Sequence, residues 1–178
     1  MQAASDYAKA MALLETGDFA AALTALRGVM EDLPGNEQVG RALVRLGRGA
    51  AQAAMLRPVE SEEARALYDC ALAAYLAIGG TISDPADCGL LRAVCFNLGC
   101  YYDGRGLYAE AIRHYRDAWT LGPQHADTPN NLSRILIKAG QPREALALLK
   151  EAMQYHPNSA TLLERKQQAL LAAGGTTP

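Results

Sequence analysis

β-Branched residues are scarce in this 178-residue sequence. It has five Val and five Ile against 34 Ala and 25 Leu. Ala and Leu favour helices, whereas Val and Ile favour strands. This balance excludes a β-sandwich, a barrel or an α/β sheet and predicts an all-α fold. There is no run of about 20 apolar residues, so no membrane span is expected. Met1-Gln2-Ala3-Ala4-Ser5-Asp6 offers neither a basic start nor an apolar stretch, so no signal peptide and a cytoplasmic location are expected. A charge excess is missing as well: 17 Lys and Arg stand against 19 Asp and Glu, which leaves no generic nucleic-acid footprint. No H-E-x-x-H, G-x-S-x-G, phosphate-cradling glycine loop or Cys–His nucleophile pattern occurs, so neither an enzyme nor a cofactor is expected. Cys70, Cys88, Cys95 and Cys100 lack C-x-x-C spacing and read as small core residues, with metal binding near 88–100 as the alternative.

What the sequence does have is internal repetition. A shift of 34 residues superposes Leu98 on Leu132, Gly99 on Ser133, Gly106 on Gly140, Ala111 on Ala145, Tyr115 on Leu149, Ala118 on Ala152 and Pro123 on Pro157. The same frame returns near the start, where Gly17, Phe19, Ala22 and Pro34 match Gly106, Tyr108, Ala111 and Pro123. Ala64, Tyr68 and Ala71 mark one further copy in the middle, stretched on both sides. Glycine tolerates the left-handed cap of a helix, so Gly17, Gly106 and Gly140 end the first helix of each pair. Pro34, Pro123 and Pro157 stop the second. Asp84-Pro85 and Asn158-Ser159 are helix starts.

These residues resemble the tetratricopeptide repeat family. Residues 92–125 carry Leu98-Gly99, Tyr102, Ala111, Tyr115, Ala118 and Pro123 where that repeat has its Leu-Gly, Tyr, Ala, Phe, Ala and Pro. Cys95 stands where the family often has Trp. Residues 126–159 and 3–36 are further units, 37–91 is a divergent unit with an insertion, 160–173 is a closing helix and 174–178 is a flexible tail, all in one domain over 1–178. The resemblance implies a right-handed superhelical α-solenoid of antiparallel helix pairs. Nine helices are expected near 3–16, 18–32, 37–57, 60–78, 86–104, 107–121, 126–139, 142–155 and 159–173. The Gly-, Pro-, Asp- and Ser-rich stretch 79–88 is expected to be a loop.

In such repeats the first helices line a concave face. Asn97, Asn131 and Arg165 stand one period apart and share it. An Asn both donates to and accepts from a peptide backbone, so a row of them can hold an extended chain without reading its sequence. Asn130, Arg134 and Lys138 join this groove, where Arg134 and Lys138 favour an acidic partner segment, while Phe96 and Tyr101, with Tyr7 and Met11, offer apolar packing. A subset of the family clamps a C-terminal carboxylate with Lys, Asn and Arg. Asn131 and Arg165 match two of its places, but Phe96, Cys100 and Thr161 depart from the others, so that clamp is not expected. Arg41, Arg45 and Arg48 form a helical stripe and read as a solvated face, with a patch for an acidic partner as the alternative. The three histidines, His114, His125 and His156, suggest no catalysis.

The resemblance therefore implies a non-catalytic interaction module, scaffold, chaperone or adaptor that binds a peptide segment of another protein in its groove. The alternatives are a self-associating scaffold subunit, which would make a homo-oligomer through its helical ends, and a small metal- or ligand-binding protein.

Overall fold

The computed structural model describes residues 2–78, 82 and 84–174. Among them are nine helices and no strand: α1 (Gln2–Glu15), α2 (Phe19–Asp32), α3 (Glu37–Met55), α4 (Glu62–Ala77), α5 (Pro85–Gly104), α6 (Tyr108–Leu121), α7 (Asp127–Lys138), α8 (Pro142–Tyr155) and α9 (Ala160–Ala172). Every expected helix is present, and no end moves by more than two residues.

The punctuation works as its chemistry dictates. Gly17, Gly106 and Gly140 all take positive φ, at 81°, 72° and 75°. At Gly106 the paired bonds Leu107 N–H to Tyr102 O (3.0 Å) and Gly106 N–H to Asp103 O (3.0 Å) close a Schellman motif, and Gly140 repeats it. α2, α6 and α8 each end two residues before Pro34, Pro123 and Pro157. Ser159 caps α9 by accepting from Leu162 N–H at 3.4 Å.

Of the expected loop 79–88, Gly79, Gly80, Thr81 and Ser83 lie outside the described residues, as does the tail beyond Gly174. Residues 85–88 are a correction. They form the first turn of α5, because Asp84 Oδ1 accepts from Ala86 N–H at 2.9 Å and Pro85 sits where its missing N–H costs nothing.

The chain falls into two compact units, Met1–Val94 and Cys95–Pro178, with the division inside α5. In the first, α1 packs on α2, α2 on α3 and α3 on α4. Gly47 and Gly49 let α3 approach its neighbours: a Cβ would stand 3.0 Å from the Tyr75 ring at Gly47, and 2.8 Å from the Phe19 ring at Gly49.

The arginine stripe on α3 is not uniformly solvated. Arg41 is exposed and pairs with exposed Glu37 at 3.2 Å. Arg48 instead grips Asp87 with both arms of its guanidinium, Nε to Oδ1 at 3.1 Å and Nη2 to Oδ2 at 2.9 Å, and reaches Asp84 at 3.4 Å. Asp87 is only 3% exposed, and the buried Tyr75 hydroxyl donates to it at 3.2 Å. This cluster ties α3 and α4 to the start of α5.

The second unit holds a core of Ala111, Tyr115, Leu132, Ile135, Leu136, Leu149 and Leu162, with Ala118 and Ala152 fully buried beside it. α6 packs on α7, α7 on α8, and α8 and α7 both on α9. Within the α5–α6 pair, Gly99 lies directly against Tyr115; a Cβ there would stand 2.6 Å from the ring.

Candidate functional site

In the second unit the first helices of successive pairs are the C-terminal half of α5, α7 and α9. Helical periodicity decides which side chains they present. α7 buries Thr128, Pro129, Leu132, Ser133, Ile135 and Leu136. Asn130, Asn131, Arg134 and Lys138 therefore lie on the opposite stripe, where all but exposed Lys138 are half-buried. α9 buries Leu162 and Ala169 and leaves Arg165 half-buried. Asn97 and Phe96 are half-buried on α5.

Hydrogen bonds bring most of these expected residues together. Arg165 donates from Nε and Nη2 to Asn130 Oδ1, both at 3.3 Å, and from Nη1 to Gln168 Oε1 at 2.5 Å. Arg134 is ion-paired to Asp103 of α5, with side chains only 28% and 14% exposed. The Lys138 ammonium sits 5.9 Å from the centre of the Tyr108 ring. The Asn131 side chain makes no hydrogen bond among the described residues, so its amide is left to solvent or to a ligand.

The charges on this face do not balance pairwise. Arg165 hydrogen-bonds to neutral amide oxygens alone, and its pKa is held below the usual arginine range, first by partial burial and then by the like charge of Arg134, against the opposing pull of the Glu164 carboxylate. Asp103 is the one carboxylate paired with either arginine among the described residues. Asp103 was visible in the sequence without anything to select it, since its partner lies 31 residues away.

Two expected residues differ from the sequence reading. Tyr101 is 3% exposed, so its ring packs inside rather than lining a groove; it meets Tyr102 edge-on at 5.2 Å, and the Arg105 guanidinium lies 3.7 Å from its centre. Phe96 contributes only a partial surface, because its ring abuts Tyr115 edge-on at 5.6 Å. Tyr7 and Met11 are half-buried on α1, in the first unit.

The first unit has a pocket of about 400 Å³ between the end of α2, the start of α3 and the end of α4, lined by Met30, Val39, Leu43, Ile78 and Asp87 among others. Its buried carboxylate, Asp87, is already satisfied by Arg48 and Tyr75.

The cysteines are free thiols. Burial pushes Cys70 up to about 11 and Cys95 up to about 12, so neither is a thiolate nucleophile at neutral pH. Among the described residues no group of three or more His, Cys, Asp or Glu is placed to hold a metal ion, and no helix is long and apolar enough to cross a membrane.

His114, which the sequence gave no catalytic role, is 3% exposed and stacks flat on Tyr102 with ring centres 5.4 Å apart. Arg113 donates to its Nε2 at 3.1 Å, and its Nδ1 is buried without a partner. Burial, followed by the charge of Arg113, lowers its pKa to about 4. A histidine whose folded pKa lies below its unfolded value near 6.5 leaves stability intact above pH about 6.5 and erodes it as the pH falls toward about 4. Between pH 7 and pH 5, linkage makes this loss about 2 kcal/mol for the second unit. Urea unfolding of wild type and His114→Phe at both pH values is expected to show that loss in wild type alone. Equal losses would contradict it.

Comparison with known proteins gives a consistent picture. Residues 104–173 match the family model for the tetratricopeptide repeat. No curated protein sequence matches the chain significantly. Among solved structures, the chain is similar to MamA AMB-1 in its P212121 crystal form, with 15% sequence identity, a TM-score of 0.51, and coverage of 97% of this chain and 83% of that one. It is also similar to a chain in the APC/C hetero-tetramer Cut9-Hcn1, with 19% identity and a TM-score of 0.50; that match covers 94% of this chain and 30% of the other. At these identities the likeness is one of fold.

Proposed function

We propose that this chain, a tetratricopeptide repeat protein over residues 104–173, binds an extended segment of another protein along the α5–α7–α9 face of its second unit. Repeats of this kind are generally protein-interaction modules, and here the polar row supplies the means. The observation that carries the reading is Asn131: a half-buried amide with no hydrogen-bond partner among the described residues, flanked by Asn130 and Arg134 on the same stripe. Such an amide, open to water, can exchange that water for a peptide backbone, donating to a carbonyl and accepting from an N–H. Asn97 and Arg165 stand at the equivalent places on the neighbouring first helices. Phe96 gives the row an apolar edge. The role is one of recognition rather than catalysis, as scaffold, adaptor or chaperone, and four unpaired thiols suit a reducing, cytoplasmic setting.

The test is a peptide array of varied sequence, probed with wild type and Asn131→Ala. Since backbone contacts are common to all sequences, the substitution is expected to weaken most positive spots together, by roughly five- to tenfold for one lost hydrogen bond. Unchanged spots, with the variant folded by circular dichroism, would place binding elsewhere.

A further inference from the structure

We infer that the segment taken by this face carries acidic side chains, and that Asp103 is an internal competitor which holds Arg134 until such a side chain replaces it. The inference rests on the peptide-binding reading above and names both its ligand chemistry and its regulation.

Cations and carboxylates on this face are unequal in number. Two guanidinium groups, Arg134 on α7 and Arg165 on α9, lie on one half-buried row and share a single paired carboxylate. Arg165 feels the like charge of Arg134, offset in part by the neighbouring Glu164 carboxylate, and partial burial strips away water that would otherwise screen it. Asn130 gives Arg165 a dipole where a full charge would bind better. Lys138 adds a third cation one turn beyond Arg134 on the same stripe of α7. A face of this kind has room for one more anion, and an arriving carboxylate relieves the repulsion that Asp103 relieves only in part.

Asp103 then has a definite role. Its side chain is 14% exposed and sits on Arg134. A partner carboxylate that takes Arg134 exchanges one charged bond for another, and leaves Asp103 partly buried without its cation. That residual cost is charged to every acidic ligand and spares neutral ones. Removing the Asp103 charge removes both the competitor and the cost.

The group now on Arg134 is a side-chain carboxylate, and the asparagine row holds a chain by its backbone. The ligand group is therefore assigned to Asp or Glu side chains within a segment rather than to a chain end.

The experiment uses the full chain and an array of C-terminally amidated decapeptides bearing Asp or Glu, each beside its Asn or Gln counterpart. Wild type is expected to prefer the acidic members. Asp103→Asn is expected to tighten acidic members about tenfold while leaving amide members unchanged, and Arg134→Gln to erase the preference. Asp103→Ser serves equally should the Asn variant fold poorly. A second readout needs no peptide: succinate, compared with chloride at matched ionic strength, is expected to raise the melting temperature of Asp103→Asn more than that of wild type.

Equal binding of acidic and amide peptides, with loss in Asn131→Ala, would overturn this inference and leave the peptide-binding reading standing. So would weaker acidic binding in Asp103→Asn, an equal effect of succinate on both proteins, or binding that requires a free C-terminal carboxylate. Absence of binding by every peptide would overturn both.

Discussion

Gly99→Ala is expected to destabilise the second unit by about 1–2 kcal/mol, although the same substitution in an open helical position stabilises. In a helix interior Ala is favoured over Gly by about 1 kcal/mol. At Gly99 a Cβ would lie 2.6 Å from Tyr115 Cδ1 and 2.9 Å from its Cγ, well inside contact distance. The ring has nowhere to retreat. Tyr115 is fully buried, Phe96 meets it edge-on, and its hydroxyl donates to Cys100 Sγ at 3.3 Å. Over-packing of this kind typically costs about 1–3 kcal/mol. The internal control is Gly28→Ala in α2, where a Cβ meets nothing within 4 Å; it is expected to gain roughly 0.5–1 kcal/mol. Urea unfolding of the two variants beside wild type checks both signs. A neutral or stabilising Gly99→Ala would mean that α5 and α6 are not in the close contact described.

Asp87→Ala is expected to cost the first unit about 2–3 kcal/mol. The carboxylate is the acceptor for the Tyr75 hydroxyl, which is 2% exposed and has no other partner among the described residues. Leaving a buried hydroxyl unsatisfied costs about 1–3 kcal/mol, and the missing side chain leaves a void at the α3–α5 junction. The double variant Asp87→Ala/Tyr75→Phe is expected to recover part of the loss, because it removes the stranded hydroxyl with its acceptor. Chemical unfolding of wild type, both single variants and the double variant measures the coupling. Additive losses would show that the hydroxyl–carboxylate bond contributes nothing. Arg41→Met on the same helix is expected to be nearly neutral, since its partner Glu37 is exposed and solvent screens the pair.

This contrast shows what a sequence makes legible. Helix ends are written locally: Gly17, Gly106 and Gly140 turn the chain, and Pro34, Pro123 and Pro157 stop it, so the nine helices follow from punctuation and period. The alanines likewise follow, because contact points between paired helices admit only small side chains. Arg41 and Arg48 look alike in sequence, however, and only the fold brings Asp87, 39 residues away, onto Arg48. Asp103 and Arg134 are separated in the same manner. Tyr101 was expected on the groove and does stand one turn after Asn97 on nearly the same face of α5, but its ring is covered by its neighbours, Tyr102 edge-on and the Arg105 guanidinium over its face. The candidate face was thus legible as a row of polar positions. Its charge pairing was not, because pairing across helices depends on tertiary distance rather than on spacing along the chain.

Peptide binding on the α5–α7–α9 face of the second unit is directly observable. The most direct measurement is a two-dimensional amide NMR titration of the isotope-labelled chain with the tightest array peptide. The account predicts that the side-chain amide signals of Asn131 and Asn97, and the Nε–H signal of Arg165, move first and furthest, and that Asn131→Ala abolishes saturation. Shifts confined to the outward surfaces of α6 and α8, with Asn131 unmoved at saturation, would contradict it.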